Sequence, residues 1–188
     1  WNLERLGDAL SLVAPRARLD EAIAHFTHTY DAAWTRTLHA KLGFMRTTPG
    51  TRRCADVFIA LLADQRADFT RAFRALGTVT TGSDAPAAAR DEFAHPEPFD
   101  RWCIGYRAQL RAEGSDDARR RASMARVNPR LVPRTHVLQR AIDAAERGDD
   151  REVARLVAAF AEPWSERDGD DDLLLPGPAD GHALSCSS

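Results

Sequence analysis

The chain has 188 residues, of which 44% are hydrophobic and 29% are charged, and its formal net charge is −2. This size and composition predict one folded unit rather than a disordered chain. The chain lacks the positive excess that nucleic-acid-binding proteins carry, so we expect no nucleic-acid partner. No apolar run approaches the ~18 residues that a spanning helix needs, so we expect no membrane partner either.

The first six residues have a helical pattern that begins at Trp1 without a preceding cap. We therefore expect a chain truncated at its N-terminus, and we find no pattern of a signal peptide. The three cysteines, Cys54, Cys103 and Cys186, are too widely spaced for a C-x-x-C zinc or redox motif. Their number and spacing predict a reduced, cytoplasmic protein.

Apolar residues recur three and four positions apart from Leu19 onward, which predicts a long helix that Gly43 ends. The apolar stripe of this helix consists of Ile23, Phe26, Tyr30, Ala33, Trp34 and Leu38. A second helical stretch begins near Val57. Asp64 or Asp68 is suitably placed to cap a separate short helix within it.

Residues 78–98 break the helical pattern and predict a loop region between two helical layers. The next helix is predicted to bury an aromatic stripe, which consists of Phe99, Trp102, Tyr106 and Leu110. Residues 115–117 resemble an N-cap, and Pro133 is expected in the first turn of a later helix. The sequence thus predicts an all-α fold, an irregular array of about seven or eight helices over residues 1–162. An extended tail is predicted over residues 163–188.

Two segments are candidates for metal binding. His25 and His28 lie on one predicted helix face, with Glu21 one turn earlier, but the H-E-x-x-H order and a third ligand are missing. We interpret them as ordinary histidines. The acidic run at residues 168–172 resembles the start of a calcium loop, yet the Gly and Glu that such a loop requires are absent. We interpret the run as a solvated linker and predict no metal site.

A basic stretch runs from the helix predicted after residues 115–117 to just beyond Pro133. It consists of Arg119, Arg120, Arg121, Arg126, Arg130 and Arg134. Such a stretch can bind a phosphate or an acidic peptide, although nearby acids favour a solvated helix face. No Gly-rich phosphate loop and no kinase triplet occurs, so we predict no catalytic and no cofactor-binding residue. Taken alone, the tail residue Cys186 is either an inert or a reactive thiol.

Several short segments, in order along the chain, resemble the selenoprotein O (SelO, YdiU) family. Residues 1–6 resemble its W-N-L-x-R-L segment, and residues 41–43 match its K-L-G. Residues 67–76 resemble A-D-[YF]-T followed by F-R-x-L, and residues 124–130 resemble M-x-x-x-N-P-[KR]. The last four residues, Ser-Cys-Ser-Ser, are similar to the C-terminus of the family.

This resemblance implies a kinase-like enzyme that transfers AMP from ATP to Ser, Thr or Tyr hydroxyls of proteins, with Mg²⁺ or Mn²⁺. It also implies that residues 1–162 are the helical C-terminal portion of a protein-kinase-like lobe. The catalytic residues would then precede Trp1, in an upstream kinase-like catalytic lobe that these helices support. This chain alone would then be inactive. In the family, the cysteine at the position of Cys186 is a redox partner of a cysteine near the activation segment.

The chain also departs from the family pattern. Pro133 and Thr135 replace a Leu and an Asn after the N-P motif. An alternative of another class therefore stays open, a non-catalytic helical interaction module from a degenerate family member. Sequence upstream of residue 1 would discriminate between the two.

Overall fold

A computed structural model describes residues 1–82, 86–166 and 169–177. The described residues form ten helices and no strand, so the all-α prediction is confirmed. The helices are α1 (Asn2–Leu10), α2 (Arg16–Leu42), α3 (Pro49–Asp64), α4 (Phe69–Leu76), α5 (Ala87–Arg90), α6 (Pro96–Ala112), α7 (Asp117–Val127), α8 (Thr135–Glu146), α9 (Arg151–Ala161) and α10 (Asp171–Leu174). Their number exceeds the predicted one partly because α5 and α10 have only four residues each. None of the described helices is long and apolar enough to cross a membrane.

The long helix α2 ends where the sequence predicts, at Gly43. This residue has a φ of +74°, which is the left-handed conformation that glycine adopts without strain. A Cβ at this position would lie 2.5 Å from Cγ of Arg120 and 2.7 Å from Sδ of Met124. Glycine therefore both ends α2 and lets α7 approach it closely.

The main core lies between the C-terminal part of α2 and helices α3, α4, α6 and α7. The aromatic stripe predicted for α6 is buried, namely Phe99, Trp102, Tyr106 and Leu110. The centroid of the Phe58 ring lies 4.5 Å from the centroid of the Trp102 ring and 5.1 Å from that of the Phe73 ring. The Tyr106 hydroxyl donates a hydrogen bond of 2.7 Å to the carbonyl of Leu42. The aromatic stripe is thus part of the main core, and the buried Tyr106 hydroxyl has a hydrogen-bond partner.

Side-chain caps begin three of the core helices, and Thr48 caps α3 through the amide of Thr51. Asp68, rather than Asp64, caps α4 and accepts a hydrogen bond of 2.9 Å from the amide of Arg71. Asp116 caps α7 in the same way, at 2.8 Å from the amide of Arg119. Each carboxylate satisfies an amide that the first turn of a helix leaves free. The cap predicted within residues 115–117 is therefore confirmed.

Helices α8, α9 and α10 enclose a second, smaller core. Its buried residues are Leu131, Val137, Ala141, Leu156, Ala159 and Leu173. Pro133 lies before α8 and not in its first turn, since the helix begins at Thr135. Arg134 keeps an extended backbone there, and its guanidinium donates to the carboxylate of Asp68 at 2.5 Å. This ion pair joins the second core to α4 of the main core.

The described part of the predicted tail is not extended throughout. Residues 171–174 form α10, and Leu173 is buried in the second core. Asp172 of the acidic run pairs with Arg140 at 2.8 Å and with Arg155, so this part of the run is docked rather than solvated. The burial of Leu173 and the ion pairs of Asp172 explain why residues 171–174 pack on the second core instead of forming an extended, solvated tail. Cys186 lies outside the described residues, and the boundary after residue 162 stays a prediction.

Candidate functional site

The histidines considered as metal ligands lie on the surface of α2. His25, His28 and Glu21 are exposed. The described ranges contain no group of three or more His, Cys, Asp or Glu side chains that is placed to hold a metal ion. The structure therefore brings no third ligand of these types to His25 and His28 among the described residues.

The predicted basic stretch does not form one continuous face. Arg120 is buried, and its guanidinium donates to the carbonyl of Val79 and, at 2.6 Å, to Asp117. Arg134 is held by Asp68, whereas Arg119 is exposed. The stretch thus differs from the solvated face that the sequence favours, because several of its guanidiniums reach partners that are distant in sequence.

Two other arginines of the stretch line a cleft of about 850 Å³. The cleft opens between α4, α5, α7 and two described stretches of the C-terminal part, residues 164–166 and 171–175. Its charged lining consists of Arg71, Arg74, Arg121, Arg130, Glu92, Glu166 and Asp171. We call this feature the arginine cleft.

One side of the arginine cleft is neutralised by an ion pair. The guanidinium of Arg71 donates to both carboxylate oxygens of Glu92, at 2.8 and 3.0 Å. Such a two-point pair fixes both side chains and satisfies both charges. The carboxylate of Glu92 is therefore engaged with Arg71 rather than with the other arginines of the cleft.

Arg74 contacts the C-terminal end of α7 and Glu166, and so holds parts of the cleft wall together. Its Nη1 donates to the carbonyls of Ala125 and Asn128, both at 3.0 Å, at the C-terminal end of α7. Its Nη2 donates to the carboxylate of Glu166 at 2.6 Å. A cation at a helix C-terminus is favourable, because the last carbonyls there have no partner within the helix. Arg74 thus anchors α7 and orients the wall of the cleft.

Arg130 has the least exposed side chain of the charged lining, at 10%. Its Nε lies 3.2 Å from Glu166, and its Nη2 lies 3.2 Å from Asp171. Its Nη1 is buried and has no hydrogen-bond partner among the described residues. Arg121 is exposed and forms no ion pair within the part of the chain that the structure describes. Sequence reasoning identified these two arginines but neither their surroundings nor the role of Arg74.

A second feature is an exposed row of aromatic rings on α2. Phe26 and Tyr30 stack at 6.0 Å between ring centroids, and Tyr30 and Trp34 stack at 6.5 Å. Their exposed fractions are 50%, 54% and 44%. We call these three residues the aromatic ladder. The sequence identifies them as an apolar stripe, but the described chain does not cover them.

The region around the aromatic ladder is also open. On α2 the fully buried residues are confined to the C-terminal end, at Leu38, His39 and Leu42. Helix α1 packs against α2 near Gly7 and Ile23. Its leucines remain partly exposed, namely Leu3, Leu6 and Leu10. Helices α1 and α2 therefore present apolar side chains beyond the main core.

The two described cysteines are packed in or beside the main core. Cys103 is buried and Cys54 is partly buried, and both are free thiols in the described structure. Burial and the neighbouring Cys103 raise the pKa of Cys54 to about 12. Burial also raises the pKa of Cys103. Both side chains are therefore protonated and unreactive at neutral pH.

Comparison with known proteins gives a consistent result. Residues 1–161 match the family model described as protein adenylyltransferase SelO. A protein nucleotidyltransferase YdiU of Cronobacter sakazakii is 39% identical over 188 residues, and one of Myxococcus xanthus is 39% identical over 191 residues. A YdiU of Klebsiella pneumoniae is 40% identical over 190 residues. Each alignment covers 100% of this chain and 39% of the relative, so the chain spans about two fifths of the relatives' length.

Proposed function

Because this chain belongs to the SelO family, whose members are named protein nucleotidyltransferases, we propose that it is the C-terminal helical part of an AMP-transferring enzyme. The intact enzyme transfers AMP from ATP to Ser, Thr or Tyr hydroxyls of protein substrates. Its catalytic residues lie in a kinase-like lobe upstream of residue 1. This chain supports that lobe and does not itself react.

The match of residues 1–161 to the SelO family carries this proposal, and the aromatic ladder indicates where the rest of the enzyme would pack. Three stacked rings that are about half exposed on one helix form an apolar patch of the kind that marks an interaction surface. The relatives are longer than this chain, and the additional length is enough for a catalytic lobe. In the proposal, that lobe packs on the aromatic ladder and on the exposed leucines of α1. The ladder then forms part of an internal interface of the intact protein.

The proposal assigns the chemistry to the upstream lobe. A protein hydroxyl attacks the α-phosphorus of ATP, pyrophosphate leaves, and Mg²⁺ or Mn²⁺ neutralises the developing charge. The proposed ligands of that ion are upstream, as the family resemblance implies. We further propose a cytoplasmic enzyme, in keeping with the free thiols of Cys54 and Cys103. The redox role of Cys186 remains a prediction from the resemblance.

A second candidate function rests on the same aromatic ladder. In a degenerate family member, the ladder would bind a separate protein and the chain would be a non-catalytic interaction module. The two functions differ in what full-length protein does with ATP.

The test is transfer of AMP from α-labelled ATP, with Mg²⁺ or Mn²⁺, by the 188-residue chain and by the full-length product of its gene. We expect label on protein with the full-length product only. Label with neither would favour the interaction module. Label with the 188-residue chain alone would show that the active site is not upstream. A full-length Tyr30→Glu variant tests the interface, since a charge there should weaken packing of the catalytic lobe and reduce transfer.

A further inference from the structure

The arginine cleft has features of a binding site that the proposed AMP transfer does not use. We propose that it binds a phosphorylated small molecule with a flat ring, of about nucleotide size. The phosphate is bound by Arg121 and Arg130, and the ring lies on Trp164. This inference is independent of the proposed function, because it concerns side chains of this chain alone.

The first argument is charge. Glu92 is fully engaged with Arg71. The remaining lining contains three arginines and two carboxylates, Glu166 and Asp171. Arg121 is the arginine without an ion pair among the described residues, and it is exposed at the cleft. The remaining lining therefore has an excess positive charge that an anion would neutralise.

The second argument is the buried guanidinium of Arg130. A buried donor without a partner is unfavourable, because it has lost its water and gained nothing in return. Nη1 of Arg130 is in that condition among the described residues, on a side chain that is nine-tenths buried and lines the cleft. The other two nitrogens of this guanidinium, Nε and Nη2, pair with the lining carboxylates of Glu166 and Asp171, so a phosphate that replaces a carboxylate there would accept from them. Arginine suits this role, since its planar fork of donors matches the geometry of phosphate.

The third argument concerns the anion that the chain itself supplies. Glu166 accepts hydrogen bonds or ion pairs from Arg74 at 2.6 Å and from Arg130 at 3.2 Å, yet its side chain is 76% exposed. An exposed side chain gives up such contacts at little cost, because water replaces them. The carboxylate of Glu166 therefore marks the position of an anionic group, and a phosphate can displace it.

The fourth argument concerns the shape of the ligand. The apolar lining includes Trp164, Met124, Leu174 and Leu175. Trp164 lines the cleft and is 48% exposed, and an indole is a surface on which a planar ring can stack. The volume of about 850 Å³ lies within the range of small-molecule sites, roughly 300–1,000 Å³. These features favour a phosphate ester with an aromatic body over inorganic phosphate.

The test is calorimetric titration of the 188-residue chain at low salt with AMP as probe. Adenosine and inorganic phosphate are titrated separately, and the helicity of every variant is checked by circular dichroism. We expect AMP to bind at least about tenfold more tightly than either part alone. Arg121→Glu should weaken AMP binding by about tenfold or more, and Trp164→Leu should remove the preference for AMP over phosphate.

Two further variants follow, of which the first tests the competing carboxylate and the second distinguishes a specific site from general charge attraction. Glu166→Gln removes the competing carboxylate and should tighten AMP binding several-fold. Arg119→Glu changes the same charge on the same helix as Arg121→Glu, but outside the cleft lining, and should leave the affinity unchanged.

Four results would overturn the proposal. They are no AMP binding at millimolar concentration, equal losses in Arg119→Glu and Arg121→Glu, no gain in Glu166→Gln, and tighter binding of an acidic peptide than of AMP. AMP binding by the chain, together with no AMP transfer by the full-length product, would count against the proposed function and leave this inference intact.

Discussion

The carboxylate of Asp68 joins the two cores, and replacing it with Asn tests what holds them together. One of its oxygens caps α4 through the amide of Arg71, and the other accepts the guanidinium of Arg134. The side chains of Asp68 and Arg134 are 17% and 14% exposed. Asp68→Asn keeps a capping oxygen but removes the charge that neutralises Arg134.

The expected loss follows from this geometry. Removing one partner of a buried ion pair costs about 3–5 kcal/mol, because the other charge stays buried. Both side chains retain some exposure, so we expect Asp68→Asn to lower the free energy of unfolding by about 2 kcal/mol. Asp68→Ala also loses the cap and should cost about 1 kcal/mol more. Adding Arg134→Leu to Asp68→Asn removes the unpaired charge, so the two losses should not add.

The same ion pair predicts a dependence on pH. Burial alone would raise the pKa of Asp68, but hydrogen bonds from Arg134 and from the amide of Arg71 outweigh it and lower the pKa. A carboxylate with a lowered pKa stabilises the fold above its unfolded pKa of about 3.9, and this stabilisation is lost as the pH falls through the folded pKa. The difference between the original chain and Asp68→Asn should therefore be constant near neutral pH and shrink below about pH 4.

The assay is urea unfolding followed by far-ultraviolet circular dichroism, with linear extrapolation to water. Asp64→Asn is the matched control, because Asp64 is an exposed acid at the end of α3 and caps nothing. We expect it to change the free energy of unfolding by less than about 0.5 kcal/mol. The reasoning is refuted if Asp68→Asn costs no more than this control, or if its effect is the same at pH 3 and pH 7.

Further predictions concern other parts of the chain. Gly43→Ala should lower the free energy of unfolding by about 2–4 kcal/mol in the same assay, since it combines a positive φ with a steric clash. Gly148→Ala has a positive φ but no described atom within 4 Å of the added Cβ, and should cost only about 1–2 kcal/mol. Iodoacetamide at pH 8 should label Cys54 far more slowly in the native chain than in the urea-unfolded chain, as mass spectrometry of the digested chain would show; equal rates would contradict the burial of Cys54. The isolated chain should self-associate in sedimentation velocity, and Tyr30→Glu should reduce the self-association. A monomer at all concentrations would contradict the interpretation of the aromatic ladder as an interaction surface.

The helix ends were predictable from the sequence where one residue meets a local requirement of the backbone. Gly43 ends α2 because the chain needs a left-handed residue there, and Asp68 and Asp116 supply oxygens to free amides. These requirements extend over only a few residues, so local sequence is enough to find them. The choice between Asp64 and Asp68 needed the structure, because both precede an apolar stripe.

The exposure of the aromatic ladder was not predictable from its sequence. Helical spacing identifies Phe26, Tyr30 and Trp34 as one apolar face, but it does not say what covers that face. In α6 the same spacing produces core residues, because α3 packs on them. The difference lies in the neighbours of each helix, and a single helix does not encode its neighbours.

The burial of arginines was also beyond local sequence. A run of arginines beside acids usually indicates a solvated face. Here Arg120 reaches a carbonyl 41 residues away in sequence, and Arg74 reaches carbonyls 51 and 54 residues away. Such contacts depend on which carbonyls remain free after the helices pack. The last turn of α7 and the residue that follows it supply two of them, those of Ala125 and Asn128, because the carbonyls at a helix end have no partner within the helix.

The C-terminal end of α7 is the place where α2 and α4 of the main core meet the arginine cleft. Its last carbonyls accept from Lys41 of α2 and from Arg74 of α4, and the side chain of Asn128 donates back to the carbonyl of Lys41 at 2.8 Å. Two cations at a helix C-terminus are favourable there, and they fix α7 against both helices. Arg130 follows two residues after Asn128 and enters the cleft. The position of its guanidinium is therefore set by the packing of α7, so a ligand in the cleft would contact the joint between the two cores.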